Sequence, residues 1–240
     1  MPSNAETTNR AAFWAGVRAT FPLVVGAIPF GIIFGALAVA NGFSPLAASA
    51  MSAIVFAGAS QFIAVGLIAT GASLPIIIGT TFIVNLRHML YSASLGPHLK
   101  GLAQRWLLPL AFWLTDESFV VAAKYFEEAK DLSRKKYFLL GSELFMYLNW
   151  QLVTYLGVKA GQAIEDPASW GLDFAMVVTF IGMLVPEIKS RPTLVVVLVA
   201  GLTALFANGL PNQTGLLLAA IAGIAAGVGM ERLSARSAAG

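Results

Sequence analysis

The chain has 240 residues, of which 58% are hydrophobic and only 11% charged, and its mean hydropathy is +0.77. A soluble globular chain is about 25% charged, so 15 basic and 12 acidic residues cannot coat a globule of this size, which excludes an ordinary soluble domain. The net charge of +3 is scattered between apolar segments rather than gathered into a patch suited to nucleic acid, and the lack of cysteine excludes disulfide and thiolate chemistry.

No charged residue occurs between Arg18 and Arg87 or between Arg191 and Glu231. A helical crossing takes about 20 apolar residues, and only helices or closed barrels satisfy their backbone in hydrocarbon. The apolar runs are continuous rather than alternating, which favours helices. In chain order the predicted spans are 14–40, 45–70, 75–96, 106–124, 137–161, 172–188, 192–207 and 214–230. The first, opening at Trp14, is too long for a signal-peptide core and is read as a retained span. The breaks are turn-like: Asn41-Gly42 with Ser44-Pro45, Gly71 to Pro75, Gly96-Pro97, Arg191-Pro192, and Asn208 to Thr214. The expected fold is all-α: a polytopic membrane helix bundle of about eight transmembrane helices, in a single integral membrane domain over 1–240. Six crossings result if two of the weaker spans do not cross.

Basic residues orient the bundle. With the N-terminus inside, the inner segments hold Arg10, Arg18, five residues of the 124–136 loop, Lys189, Arg191, Arg232 and Arg236. The outer segments hold only Lys100, Arg105 and Lys159. Both termini are therefore expected in the cytoplasm. The 124–136 loop reads as a solvated connector carrying helical ion pairs, such as Asp131 with Lys135.

Polar residues inside spans need partners, water or a function. Pro22 and Pro29, with Gly26, Gly31 and Gly35 around them, predict a kinked or broken first helix. The second span carries Phe56-Ala57-Gly58-Ala59-Ser60-Gln61-Phe62, small residues for close approach followed by a large amide. In the third, Thr81, Asn85, His88 and Ser92 share one helical face, and Arg87, Tyr91 and Ser94 share its neighbour. That polar stripe either glues helices together or lines a substrate path. Asp116 and Glu117 in the fourth span point about 100° apart on a helix. One of them is placed to pair with Arg87. Glu143 reads as an acid at the cytoplasmic interface, and Glu187 as interfacial. Gly31-x-x-x-Gly35 and Gly223-x-x-x-Gly227 are smooth faces suited to a partner helix. No HExxH, GxSxG, DDxxD or GxxxxGK[ST] motif occurs, and the two histidines lack ligand spacing. An enzyme, an ATPase, a metal site and a cofactor are therefore not expected.

The order Pro29-Phe30-Gly31-Ile32-Ile33-Phe34-Gly35, then 56–62, then Asn85-Leu86-Arg87-His88-Met89-Leu90-Tyr91, then Thr115-Asp116-Glu117-Ser118-Phe119 resembles the AzlC family. The resemblance covers about residues 13–231. It implies the large subunit of a bacterial branched-chain amino acid exporter in the inner membrane, working with a small hydrophobic membrane subunit, AzlD. Joined to the residues, it suggests substrate binding by Arg87, Asn85, Gln61, Phe30, Gly31 and Tyr91, with Phe34, Phe56 and Phe62 adding apolar wall. Arg87 suits the substrate carboxylate, and Asp116 or Glu117 suits its ammonium. Without an ATPase motif, uphill export calls for an ion gradient, most simply protons carried by Asp116, Glu117 or His88. A channel or importer of another small solute, and a non-transporting membrane scaffold, are the rival readings.

Overall fold

A computed structural model describes residues 4–128, 131–163, 178, 181, 184–185, 188–210 and 214–238. Almost all of the predicted 172–188 span, with Glu187, lies outside them. Among the described residues every element is helical: α1 (Asn4–Ala40), α2 (Pro45–Ile54), α3 (Gly58–Ala69), α4 (Leu74–Leu95), α5 (Gln104–Trp113), α6 (Asp116–Glu128), α7 (Leu132–Ala163), α8 (Arg191–Phe206) and α9 (Thr214–Ala238). A short 3₁₀ turn, Gly96–Leu99, follows α4. Among these residues, Asn9–Ala40 and Leu74–Leu99 are the stretches long and apolar enough to cross a bilayer. The chain divides into two compact units, Met1–Gln61 with Asn85–Leu172, and Phe62–Val84 with Asp173–Gly240.

The first unit is built on α1 and α7, which run parallel. Asn9 accepts from Ser133 at 3.0 Å near one end, and Thr20 and Ser142 share a 2.6 Å hydrogen bond further along. Glycines let the two backbones touch: a Cβ at Gly16 would strike the Phe138 carbonyl, one at Gly141 that of Phe13, and one at Gly157 that of Ile32. Of the kinked or broken helix expected, the broken form is absent: Asn4–Ala40 is one helix through Pro22 and Pro29. Gly16, Gly31 and Gly35 are spent on contact with α7 instead.

Two predicted spans are broken. The 45–70 segment divides into α2 and α3 at Val55–Ala57, where Phe56 has a φ of +43°. That conformation is rare for an aromatic residue and ends the helix. The 106–124 segment divides into α5 and α6 because Leu114 turns extended, with ψ 123°. The new helix is then capped reciprocally: the Thr115 N–H donates to Ser118 Oγ at 2.8 Å, and the Ser118 N–H donates to Thr115 Oγ1 at 3.3 Å.

The second broken segment turns back on itself. On α5, Trp106 meets Tyr137 of α7 at 6.0 Å and Trp113 meets Tyr147 at 5.7 Å, so α5 runs with α7. On α6, Tyr125 stacks on Phe138 at 3.9 Å, so the chain has returned. Residues 104–128 are thus a helical hairpin that enters and leaves at the N-terminal end of α7. Its tip reaches Tyr147, about 22 Å along α7 at 1.5 Å per residue. Leu95, Leu99, Leu110, Leu114, Ala122, Phe126 and Leu139 fill it as one apolar cluster. Lys135, at the same end, donates to His98 Nδ1 at 3.2 Å, and Lys136 lies 4.3 Å over the Trp106 ring. Lys100 and Arg105 therefore belong to the Lys135 end of the unit, not to the opposite one as expected.

In the second unit α8 and α9 form an antiparallel pair. A Cβ at Gly223 would lie 3.1 Å from Ala200, and one at Gly227 2.8 Å from Val196. The Gly31/Gly35 and Gly223/Gly227 faces, read from sequence as open to a partner helix, are thus filled within the chain by α7 and α8.

Candidate functional site

The two helix breaks converge on the middle of α7. The Tyr147 ring meets Phe56 at 4.9 Å and Trp113 at 5.7 Å, and its hydroxyl donates to the Ala53 carbonyl at 3.1 Å. Phe30 packs here against Val24, Ala27, Phe56, Met146 and Trp150, and a Cβ at Gly31 would press on Val153. Phe34 stacks on Trp150 at 6.4 Å. The result is an aromatic wall halfway along α7. Phe62 is fully buried.

The hairpin tip places a carboxylate at the start of α6, where the helix dipole favours negative charge. Arg87 Nη1 of α4 lies 2.7 Å from Asp116 Oδ2. One turn on, Tyr91 donates its hydroxyl to Asp116 Oδ1 at 2.5 Å, and its ring stacks on Phe119 at 4.4 Å. Both carboxylate oxygens are therefore engaged. The pair is not sealed, since the Arg87 and Asp116 side chains are 32% and 40% exposed, while Arg87 Nε is buried with no partner among the described residues. His88 stands edge-on to Tyr91 at 5.8 Å and contacts the Asn85 carbonyl through Nδ1 at 3.2 Å. Glu117, half-buried beside Asp116, forms no ion pair with Arg87.

Gln61 stands at the start of α3 and Asn85 midway along α4. Ser60 donates to Asn85 Oδ1 at 3.0 Å, and Trp150 Nε1 donates to Gln61 Oε1 at 3.2 Å. Gln61 is fully buried and its Nε2 has no partner among the described residues. Arg87, Tyr91, His88 and Asp116 thus form one polar group. Asn85, two residues before Arg87 on α4, is tied to Ser60, and Gln61 to Trp150. The arrangement offers one cation and one anion, both partly exposed, beside the Tyr91 and Phe119 rings. That combination can hold a small zwitterion with an apolar side chain.

Two residues change standing. Tyr147, four residues after Glu143, is the ring on which both breaks close; no local pattern in the sequence marks it. Glu143, read as interfacial, is 0% exposed, with both carboxyl oxygens unpartnered among the described residues. Its closeness to Lys135 and Lys136 in sequence suggested water, but Ser142 turns this part of α7 onto Thr20 of α1.

The sequence matches the family described as AzlC protein over residues 22–164. It is 36% identical to an "Uncharacterized membrane protein" of Archaeoglobus fulgidus, covering 89% of this chain and 93% of the relative. It is 30% identical to "Inner membrane protein YgaZ" of Escherichia coli, over 94% and 92% of the two chains. A Bacillus subtilis relative named "Branched-chain amino acid transport protein AzlC" is 29% identical over 77% of this chain and 72% of that one. No solved structure matches.

Proposed function

The chain belongs to the AzlC family of membrane transport proteins, and on that premise we propose that it exports branched-chain amino acids across the bacterial inner membrane. The observation that carries this reading is the Arg87–Asp116 pair, partly open, at the tip of a hairpin that stops halfway along α7. Leucine, isoleucine and valine each carry one carboxylate, one ammonium and an apolar side chain. Arg87 takes the carboxylate, in a bidentate contact that suits its planar fork. Asp116 takes the ammonium, and Tyr91 holds Asp116 in place. Phe30, Phe56, Trp113, Tyr147 and Trp150 receive the side chain. Asn85 and Gln61 supply further donors and acceptors.

Substrate and ion pair then compete: the pair closes the site when empty, and the substrate replaces both of its halves. Helix breaks that place polar groups at mid-membrane are a recurring device of secondary carriers. Export against a gradient draws on proton entry.

The parallel course of α1 and α7 supports a topology with fewer crossings. α1 and α7 run the same way, so an odd number of crossings separates them. Residues 104–128 return to the end they entered. We infer that fewer than eight segments cross, because the 104–128 hairpin turns back on itself. Lys100 and Arg105 then join the cytoplasmic side, leaving Lys159 as the outer basic residue. The small AzlD-like subunit sits on apolar surface other than the filled glycine faces; α8, which has no buried residue, offers such a surface.

The test is efflux of labelled leucine from cells expressing the chain with and without the small subunit. Efflux that requires both supports the reading. Efflux equal to that of empty cells in every combination overturns it, and uptake rather than efflux favours an importer.

A further inference from the structure

Glu143 is a buried acid for which the substrate site has no use. It lies on α7 between two apolar clusters. One turn before it, Leu139 packs with Leu95, Leu114 and Ala122; one turn after it, Met146 packs with Val24, Ala27 and Phe56. The elements packed on α7 carry few groups that could answer its charge. α2 has none, and α5 has only Arg105 at its far end. Arg18 on α1 is exposed. Arg87 and Tyr91 on α4 are engaged with Asp116, the first acid of α6, and Glu117 is a second negative group. His98 in the 3₁₀ turn receives the Lys135 ammonium. No described residue forms an ion pair or hydrogen bond with Glu143, whose two oxygens are sealed from the surface.

A carboxylate in such surroundings is not kept ionised; the group takes a proton instead. We propose that Glu143 is the proton-binding site that couples export to proton entry, an inference that rests on the transport reading above. Its place provides the coupling. Glu143 is one helical turn from Tyr147, on which the hairpin tip and the α2–α3 break both close. A movement that frees Asp116 and Arg87 for substrate lifts these segments off Tyr147 and admits water to Glu143. The acid then releases its proton to that water, and resealing requires a proton to be bound again. Arg87 and Asp116 handle the amino acid, and Glu143 handles the proton.

The test uses the full chain with its small subunit in proteoliposomes, with labelled leucine as the probe and the flux measured with and without an imposed pH gradient. The wild-type flux should respond to the gradient. Glu143→Gln, which keeps the shape and neutral form of the side chain, should lose that response entirely, and Glu143→Asp should retain part of it. A Glu143→Gln protein that responds as the wild type does overturns the proposal. Absence of any leucine flux in the wild type counts against the transport reading instead. A second measurement needs no variant to fold. A hydrophobic carbodiimide attacks carboxyl groups that are protonated and shielded from water, so peptide mapping of the wild type should find Glu143 modified, and less so as the pH is raised. An unmodified Glu143 at acid pH, or modification indifferent to pH, contradicts a proton that comes and goes.

Discussion

Replacing Gly157 with alanine should force α1 and α7 apart. The new methyl group would overlap the Ile32 carbonyl oxygen, and would lie 2.8 Å from the Ile32 carbonyl carbon and 2.9 Å from its Cα. Carbon atoms settle at about 3.5–4.0 Å, and these are backbone atoms in mid-helix, which cannot swing aside. Overpacking of this kind costs about 1–3 kcal/mol, against which alanine recovers about 0.8–1.0 kcal/mol of helix propensity. Because the clash is with fixed backbone, the cost falls at the upper end of that range and the net loss is about 2 kcal/mol, roughly a thirtyfold change in the folded ratio. It concentrates near the Ser52–Thr154 hydrogen bond, 3.0 Å long, because Thr154 lies one turn before Gly157. Gly26 is the matched control in α1, since a Cβ there would meet nothing within 4 Å. Gly26→Ala should be neutral or slightly stabilising. The assay is the fraction of detergent-solubilised protein that stays monodisperse after heating, measured in parallel. Gly157→Ala as robust as wild type, or Gly26→Ala equally damaged, would refute the close approach of the two helices.

Further expectations concern the site and the topology. Tyr91→Phe removes the hydroxyl that Asp116 accepts; a hydrogen bond to a charged group is worth about 1.5–3 kcal/mol when buried. Asp116 is 40% exposed, so the loss should be nearer 1 kcal/mol, about fivefold in leucine affinity by titration of the transport rate. Arg87→Lys should insert and fold normally but bind leucine about tenfold more weakly, because an ammonium cannot reproduce the paired contact; unchanged affinity would remove Arg87 from the carboxylate. The chain has no cysteine, so single cysteines report sidedness directly. Lys100→Cys and Lys136→Cys should be labelled from the same side by an impermeant reagent, and Lys159→Cys from the other. Labelling of the first two from opposite sides would dismantle the hairpin.

The composition made the helical character legible, and the cost of a lone cation in a span made the partner of Arg87 legible. The helix breaks were harder. The Thr115-x-x-Ser118 cap was written in the sequence, but within an apolar run it looked like the middle of a span. The Phe56 break had no signal at all, since an aromatic residue at positive φ is dictated by its tertiary setting, here the Tyr147 ring. The prolines of α1 do not break it: Asn4–Ala40 is one helix whose glycines pack along α7. Glycine spacing showed that close contacts exist but not with what, so faces that looked vacant proved to be filled. Glu143 was hidden by its neighbours, because three basic residues just before it suggested an interface that the burial contradicts.

The central claim is that Arg87 and Asp116 together hold an apolar zwitterion. Counterflow of labelled leucine into proteoliposomes loaded with unlabelled competitors tests it most directly, because each competitor lacks one recognised group. Leucine, isoleucine and valine inside should drive label inward. Leucinamide, without the carboxylate, and 4-methylpentanoate, without the ammonium, should each fail to do so. Counterflow driven equally well by either one-charge analogue, or by none of the three amino acids, would contradict the account.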